Sequence, residues 1–153
     1  MAELSDQDRA LLRALQADAG ASLAQLAERC GMATSTVWRK VQDFEAAGLL
    51  VGRVALLDPK AVGAGLCVFA TVRLRDHSEA AIAGFARVVS TQPNILEAHA
   101  ISGSADYMLK IRCRDVEDYE AFMTHHLLRA GVVKSVESAF SLKALKFTTA
   151  LPV

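Results

Sequence analysis

Three features of this chain predict an α+β protein in two parts. Residues 22–50 read as two short helices meeting at a tight Gly31-Met32 turn, the second with a polar, cationic outer side. Beyond Gly65 the apolar period changes from helical to alternating, and strand and helix patterns follow in the order βαββαβ. Between them lie Asp58-Pro59 and a stretch of small residues with two glycines, Lys60 to Gly65. The expectation is a winged helix-turn-helix domain over 1–50, a wing strand and hinge over 51–65, and a ferredoxin-like domain over 66–153.

Each element has a local cause. Ser5 caps the first helix, Asp6 and Asp8 favour its dipole, Leu11, Leu12 and Leu15 form its inward stripe, and Asp18-Ala19-Gly20 ends it. Ser22 and Gln25 have the S-x-x-Q spacing of a capping box for the second helix. That helix buries Leu23, Leu26 and Ala27 and stops at Cys30-Gly31, where glycine takes the left-handed conformation. Val37, Val41, Phe44 and Gly48 recur at i, i+4, i+7 and i+11, the inward stripe of the third helix, which Gly48 closes. Its other side shows Ser35, Thr36, Arg39, Lys40 and Gln42. Leu50 to Leu57 reads as a short strand carrying Arg53.

In the second part, Val68, Ala70, Val72 and Leu74 alternate with Cys67, Phe69, Thr71 and Arg73, a strand. Ser78 caps a helix burying Ile82, Phe85 and Val89. Strands follow at Ile95 to Ser102 and, after the Gly103-Ser104-Ala105 turn, at Tyr107 to Cys113. Asp115 caps a helix with Tyr119, Phe122, Met123 and Leu127 inward, and a last strand spans Ser135 to Leu145. Two helices cover one sheet face only. The other carries Phe69, Thr71, His99 and Lys110, a mixed surface that suggests sheet-to-sheet packing in a homodimer.

The 153 residues are 52% hydrophobic and 22% charged, enough for packed cores in an ordinary globular protein. No apolar run approaches the length of a membrane span, and Met1 to Asp6 lacks the character of a signal peptide, so a cytoplasmic protein with no membrane partner is expected. Cys30, Cys67 and Cys113 are odd in number and far apart, which fits reduced thiols rather than disulfides. His125 and His126 are adjacent on a helix and diverge by about 100°. No H-E-x-x-H, P-loop, G-x-S-x-G or paired-cysteine pattern occurs, so neither an enzyme, a cofactor nor a metal site is expected. That absence also argues against a small ferredoxin-like enzyme with an accessory helical domain.

A helix-turn-helix inserts its second helix in the major groove of double-stranded DNA. Arg39 can make a bidentate contact to guanine or reach a phosphate, and Lys40 supplies a point charge. Thr34, Ser35 and Thr36 stand at the groove-entering end of that helix, with Ser22 also a DNA-contact candidate, and Arg53 is a phosphate contact from the wing. Trp38 either packs against the second helix or touches a thymine methyl or sugar. Glu45 reads as structural. The plain alternative is a solvated charged face. Residues 1–60 hold seven Lys/Arg against eight Asp/Glu, a net charge of −1. Phosphate-driven affinity per subunit is therefore modest, and oligomerisation must supply avidity.

The order of these parts resembles the Lrp/AsnC (feast/famine) family over essentially the whole chain. Leu4-Ser5-Asp6-Gln7-Asp8 is similar to that family's Leu-Asp-x-x-Asp opening. Gly31, Ser35, Val37, Arg39, Val41, Glu45 and Gly48 match its recognition-helix frame. Asp58-Pro59 with Gly63 is similar to its hinge, Gly103-Ser104-Ala105-Asp106-Tyr107 to its Gly-Asp-Tyr-Asp-Tyr effector loop, and Pro152 to its terminal proline. Ala33 replaces a common capping serine, moving the cap to Thr34, and Ser104-Ala105 replaces Asp-Tyr.

The resemblance implies a transcriptional regulator with a RAM-type second domain, sensing a small amino acid or related metabolite. It also implies dimers that assemble further into tetramers or octamers. The effector would lie at 102–107. The Gly103 turn offers backbone N–H groups to a carboxylate, Asp106 pairs with an ammonium or else caps the hairpin, and Ser102 and Ser104 are flanking donors. Ala105 and Tyr107 complete the loop, and Thr148 and Thr149 are further lining candidates. A DNA-architectural protein with little effector response is the alternative.

Overall fold

The computed structural model describes residues 3–153. Met1 and Ala2, which open the stretch read for a signal peptide, lie outside the described residues. The chain divides into two compact units. One comprises the described residues up to Leu56 together with Lys146–Val153, and the other is Leu57–Leu145. The tail expected with the second domain thus packs with the first.

The first unit holds α1 (Asp6–Ala17), α2 (Leu23–Cys30) and α3 (Thr34–Ala46). Leu11 and Leu15, Leu26 and Ala27, and Val37, Val41 and Phe44 form one buried cluster with a stripe from each helix. Ser5 and Asp8 make a reciprocal capping box on α1, and Ser22 and Gln25 make the expected one on α2. Gly31 lies at φ 63, where any side chain is disfavoured, and its N–H closes onto Ala27 and Glu28. Helix α3 starts behind Ala33, with no side-chain cap, and Thr34 is its first residue rather than its cap. The tail is pinned to α1: Gln16 exchanges two bonds with the Leu151 backbone, and Arg13 donates to the Val153 carbonyl.

The expected strand at 50–57 does not form. No ladder partner for it exists among the described residues, and Val51 and Val54 are 94% and 79% exposed. A segment becomes a strand only where a neighbouring edge pairs with its backbone. The hinge is a bonded turn, with Ala64 N–H donating to Pro59 and Val62 N–H to Asp58.

The second unit is a four-stranded antiparallel sheet in the order β2-β3-β1-β4. Its strands are β1 (Leu66–Leu74), β2 (Ile95–Ala100), β3 (Tyr107–Cys113) and β4 (Val133–Phe140). Helices α4 (Glu79–Thr91) and α5 (Val116–Phe122) complete βαββαβ, and α5 continues through a π-helical turn, Met123–Leu127, into a 3-10 turn, Leu128–Ala130. The two central strands have no free edge, and their inward residues Val68, Ala70, Val72, Leu109 and Ile111 are fully buried with Phe85, Tyr119 and Phe122. Three strand ends differ from expectation: β2 stops at Ala100, and β4 begins at Val133 and ends at Phe140. Ile82 is 42% exposed, and Ala81 takes the inward place beside Phe85.

The Ser22 box is the cleanest test of local encoding. Ser22→Ala should lower stability by about 1 kcal/mol, read as a shift in the urea midpoint with unchanged m-value.

Candidate DNA-binding face and effector loop

Burial of Val37, Val41 and Phe44 turns the remaining sides of α3 outward. Arg39 is exposed and has no hydrogen-bond or ion-pair partner among the described residues. Trp38 is 56% exposed, so its ring is not packed away against α2. Thr34 and Ser35 are exposed at the uncapped start of α3, and Thr36 is half-buried. An uncapped helix N-terminus presents unsatisfied N–H groups, the donors a phosphate oxygen accepts from.

The other sequence candidates are engaged. Lys40 Nζ lies 2.5 Å from Asp8 Oδ1, with both side chains less than one-fifth exposed. Asp8 also accepts from the Ser5 N–H and hydroxyl. The Lys40 hydrogen bond first, then that of Ser5, holds the Asp8 carboxyl down at about 2 from its ordinary 3.8. Lys40 therefore ties α3 to α1. Arg53 Nη2 is 3.1 Å from Glu45 Oε1, and Gln42 Nε2 donates to the other Glu45 oxygen. Ser22 Oγ accepts from the Gln25 N–H.

In the second unit the loop after β2 is closed at its base. Ile101 N–H donates to the Asp106 carbonyl, and Asp106 N–H to Val72. Asp106 Oδ2 accepts from the Leu74 N–H at 2.7 Å, and Oδ1 lies 2.9 Å from His77 Nε2. The His77 hydrogen bond first, then the Leu74 N–H, lowers the Asp106 pKa. Both carboxylate oxygens are thus occupied, as hairpin capping requires. Gly103, at φ 117, allows the turn; Ser102 and Ser104 are exposed, and Ala105 is half-buried. The N–H groups of Gly103, Ser104 and Ala105 have no acceptor among the described residues. Tyr107 stacks on Phe85 at 4.5 Å and belongs to the core edge. Thr148 and Thr149 lie with the tail in the first unit. Sequence reasoning missed His77, 29 residues from its carboxylate partner. It also missed the Asp8–Lys40 tie, although the Ser5-x-x-Asp8 capping pattern was there to read.

A three-helix head with an open recognition face, followed by a βαββαβ domain with a donor-lined loop, defines a helix-turn-helix regulator with a separate ligand-binding domain. Residues 4–51 match the winged helix-turn-helix DNA-binding model, and residues 67–151 match the Lrp/AsnC ligand binding domain. The chain belongs to the Lrp/AsnC family of DNA-binding transcriptional regulators and is not an enzyme. It is 33% identical over 151 residues to the glutamate uptake regulatory protein of Zymomonas mobilis, covering 99% of this chain and 92% of that one. It is 34% identical to the DNA-binding transcriptional activator DecR of Escherichia coli, covering 95% and 96%. Among solved structures, a Neisseria meningitidis transcriptional regulator in complex with L-Met superposes with TM-score 0.95 at 32% identity, covering 98% of this chain and 97% of that one. No helix among the described residues is long and apolar enough to cross a membrane.

The Asp8–Lys40 tie has a signed pH dependence. A carboxyl whose folded pKa is depressed stabilises the fold above its unfolded value, and that contribution fades as pH falls toward about 2. Lys40→Met should cost about 1 kcal/mol at pH 6, with the difference from the parent chain shrinking below about pH 4, in urea midpoints measured across that range.

Proposed function

We propose that Arg39 is the principal base-reading side chain of this regulator, with Trp38 and the Thr34-Ser35-Thr36 start of α3 beside it. The supporting observation is an exposed, unpartnered guanidinium on a helix whose opposite stripe is buried. Lys40, Arg53 and Ser22 hold the head together in the free protein, so phosphate contacts fall mainly to the helix N-terminus. With a net charge of −1 over residues 1–60, one head binds weakly and several act together.

Assembly follows from the open face of the sheet. Phe69 and Met108 are 43% and 39% exposed there, beside the Glu97–Lys110 ion pair. Two copies joined by this face give a homodimer with two recognition helices, and further association gives a tetramer or octamer working in the cytoplasm. The effector is a small amino acid, its carboxylate held by the N–H groups of Gly103 to Ala105. Asp106 shapes that loop through Leu74 and His77 and is less available to an ammonium than its sequence position suggests. The relative crystallised with L-Met supports the ligand class.

Arg39→Ala should weaken binding to a selected operator by about 1–3 kcal/mol and relax base preference at one position, as read by fluorescence anisotropy on a mutated-site panel. Unchanged affinity and preference would remove Arg39 from the interface. Asp106→Asn should leave DNA affinity intact and weaken the thermal shift produced by an amino-acid panel. An identical ligand response would place the effector away from this loop. Footprints unchanged by every amino acid would favour the architectural alternative.

A further inference from the structure

We propose that the groove between α4 and the π-helical turn after α5 binds a small phosphate-bearing anion. The groove is an open surface depression of about 260 Å³, and its lining includes Arg87, Thr91, Gln92, His125, His126 and Arg129, with no carboxylate. Neither guanidinium has an ion pair or hydrogen bond among the described residues. Elsewhere in the same unit Lys110 is paired with Glu97 and Arg114 with Asp115, and Arg75 and Arg112 donate to carbonyls, while Arg73 and Lys134 are exposed on strands without a second arginine beside a common groove. Two permanent cations lining one cavity repel each other, and an anion between them removes that cost. Each guanidinium offers a planar fork of N–H donors, the group that pairs bidentately with phosphate oxygens.

The local backbone makes the cluster possible. Adjacent residues of a regular α-helix diverge by about 100°, yet in the π-helical turn His125 and His126 both line the groove. Such turns occur often at functional sites. The His126 ring rests 5.7 Å from that of Phe122. Thr91 Oγ1 donates to the Arg87 carbonyl and fixes the last turn of α4.

The surroundings select a small ligand over a polymer. Ahead of Arg87 along α4 the exposed residues are Glu79, Ala80, Ile82, Ala83 and Ala86, and α5 exposes Val116, Glu117 and Glu120. A nucleic-acid backbone needs a basic stripe and would meet apolar and acidic surface on either side. None of the groove residues belongs to the α3 face or the 102–107 loop, so the assignment does not depend on how either is used.

Calorimetric titration of the full chain with sodium phosphate, in a zwitterionic buffer with chloride at matched ionic strength as reference, tests the site. Saturable binding of one phosphate per chain is expected, weakened at least about tenfold in Arg87→Gln and in Arg129→Gln, whose parent side chains are exposed. Phosphate should also move the His125 and His126 ring signals in the NMR spectrum, and both variants should keep the parent affinity for duplex DNA. A phosphate response no greater than that of chloride, or equal in both variants, overturns the proposal. Loss of DNA affinity in the variants without phosphate binding overturns it in favour of a backbone contact.

Discussion

The packing of Val37, Val41 and Phe44 against Leu11, Leu15, Leu26 and Ala27 is the constraint on which the DNA-binding head depends. Three short helices of 12, 8 and 13 residues are marginal alone and gain their stability from this shared core. Once that stripe is inward, helical geometry turns Trp38 and Arg39 toward solvent. Recognition chemistry on α3 is thus a consequence of its buried side. The Asp8–Lys40 pair adds a polar tie between α1 and α3, spending a cation that would otherwise add to the charge facing DNA.

The ligand-binding unit obeys a different constraint. Its core strands β1 and β3 sit in the middle of the sheet, so helices must cover one face, and the other remains open. That arrangement separates tasks. The covered face supplies stability, the open face is the surface proposed for a second copy, and the loop at the sheet's end carries N–H groups without an acceptor among the described residues. Asp106 joins loop to core, since its two oxygens hold the end of β1 and the start of the connection to α4. The helical layer adds the Arg87–Arg129 groove, where a π-helical turn sets His125 and His126 along the same lining.

Most of the fold was legible in the residues. Capping serines at Ser5, Ser22 and Ser78, the stop at Gly31 and the alternation from Val68 to Leu74 act within a few positions and fold where they are read. The strand expected at 50–57 was not, because a short apolar-rich run says nothing of whether an edge is present to receive it. Ala81 rather than Ile82 lies inward for a related reason: positions i−4 and i−3 both neighbour Phe85 on a helix, and period alone does not choose between them.

By itself, then, the sequence determined the order of the helices and of the four sheet strands, the capped starts of α1, α2 and α4, most of the inward stripes and the family. Those depend on local backbone preference and on period, which are properties of neighbouring residues. Only the tertiary structure decided which charges are spent and which are free. Lys40 and Arg53 found carboxylates, Arg39 did not, Asp106 closed on Leu74 and His77, and the 146–153 tail joined the head. Pairing between residues far apart in the chain is set by the path of the backbone, which no short pattern encodes.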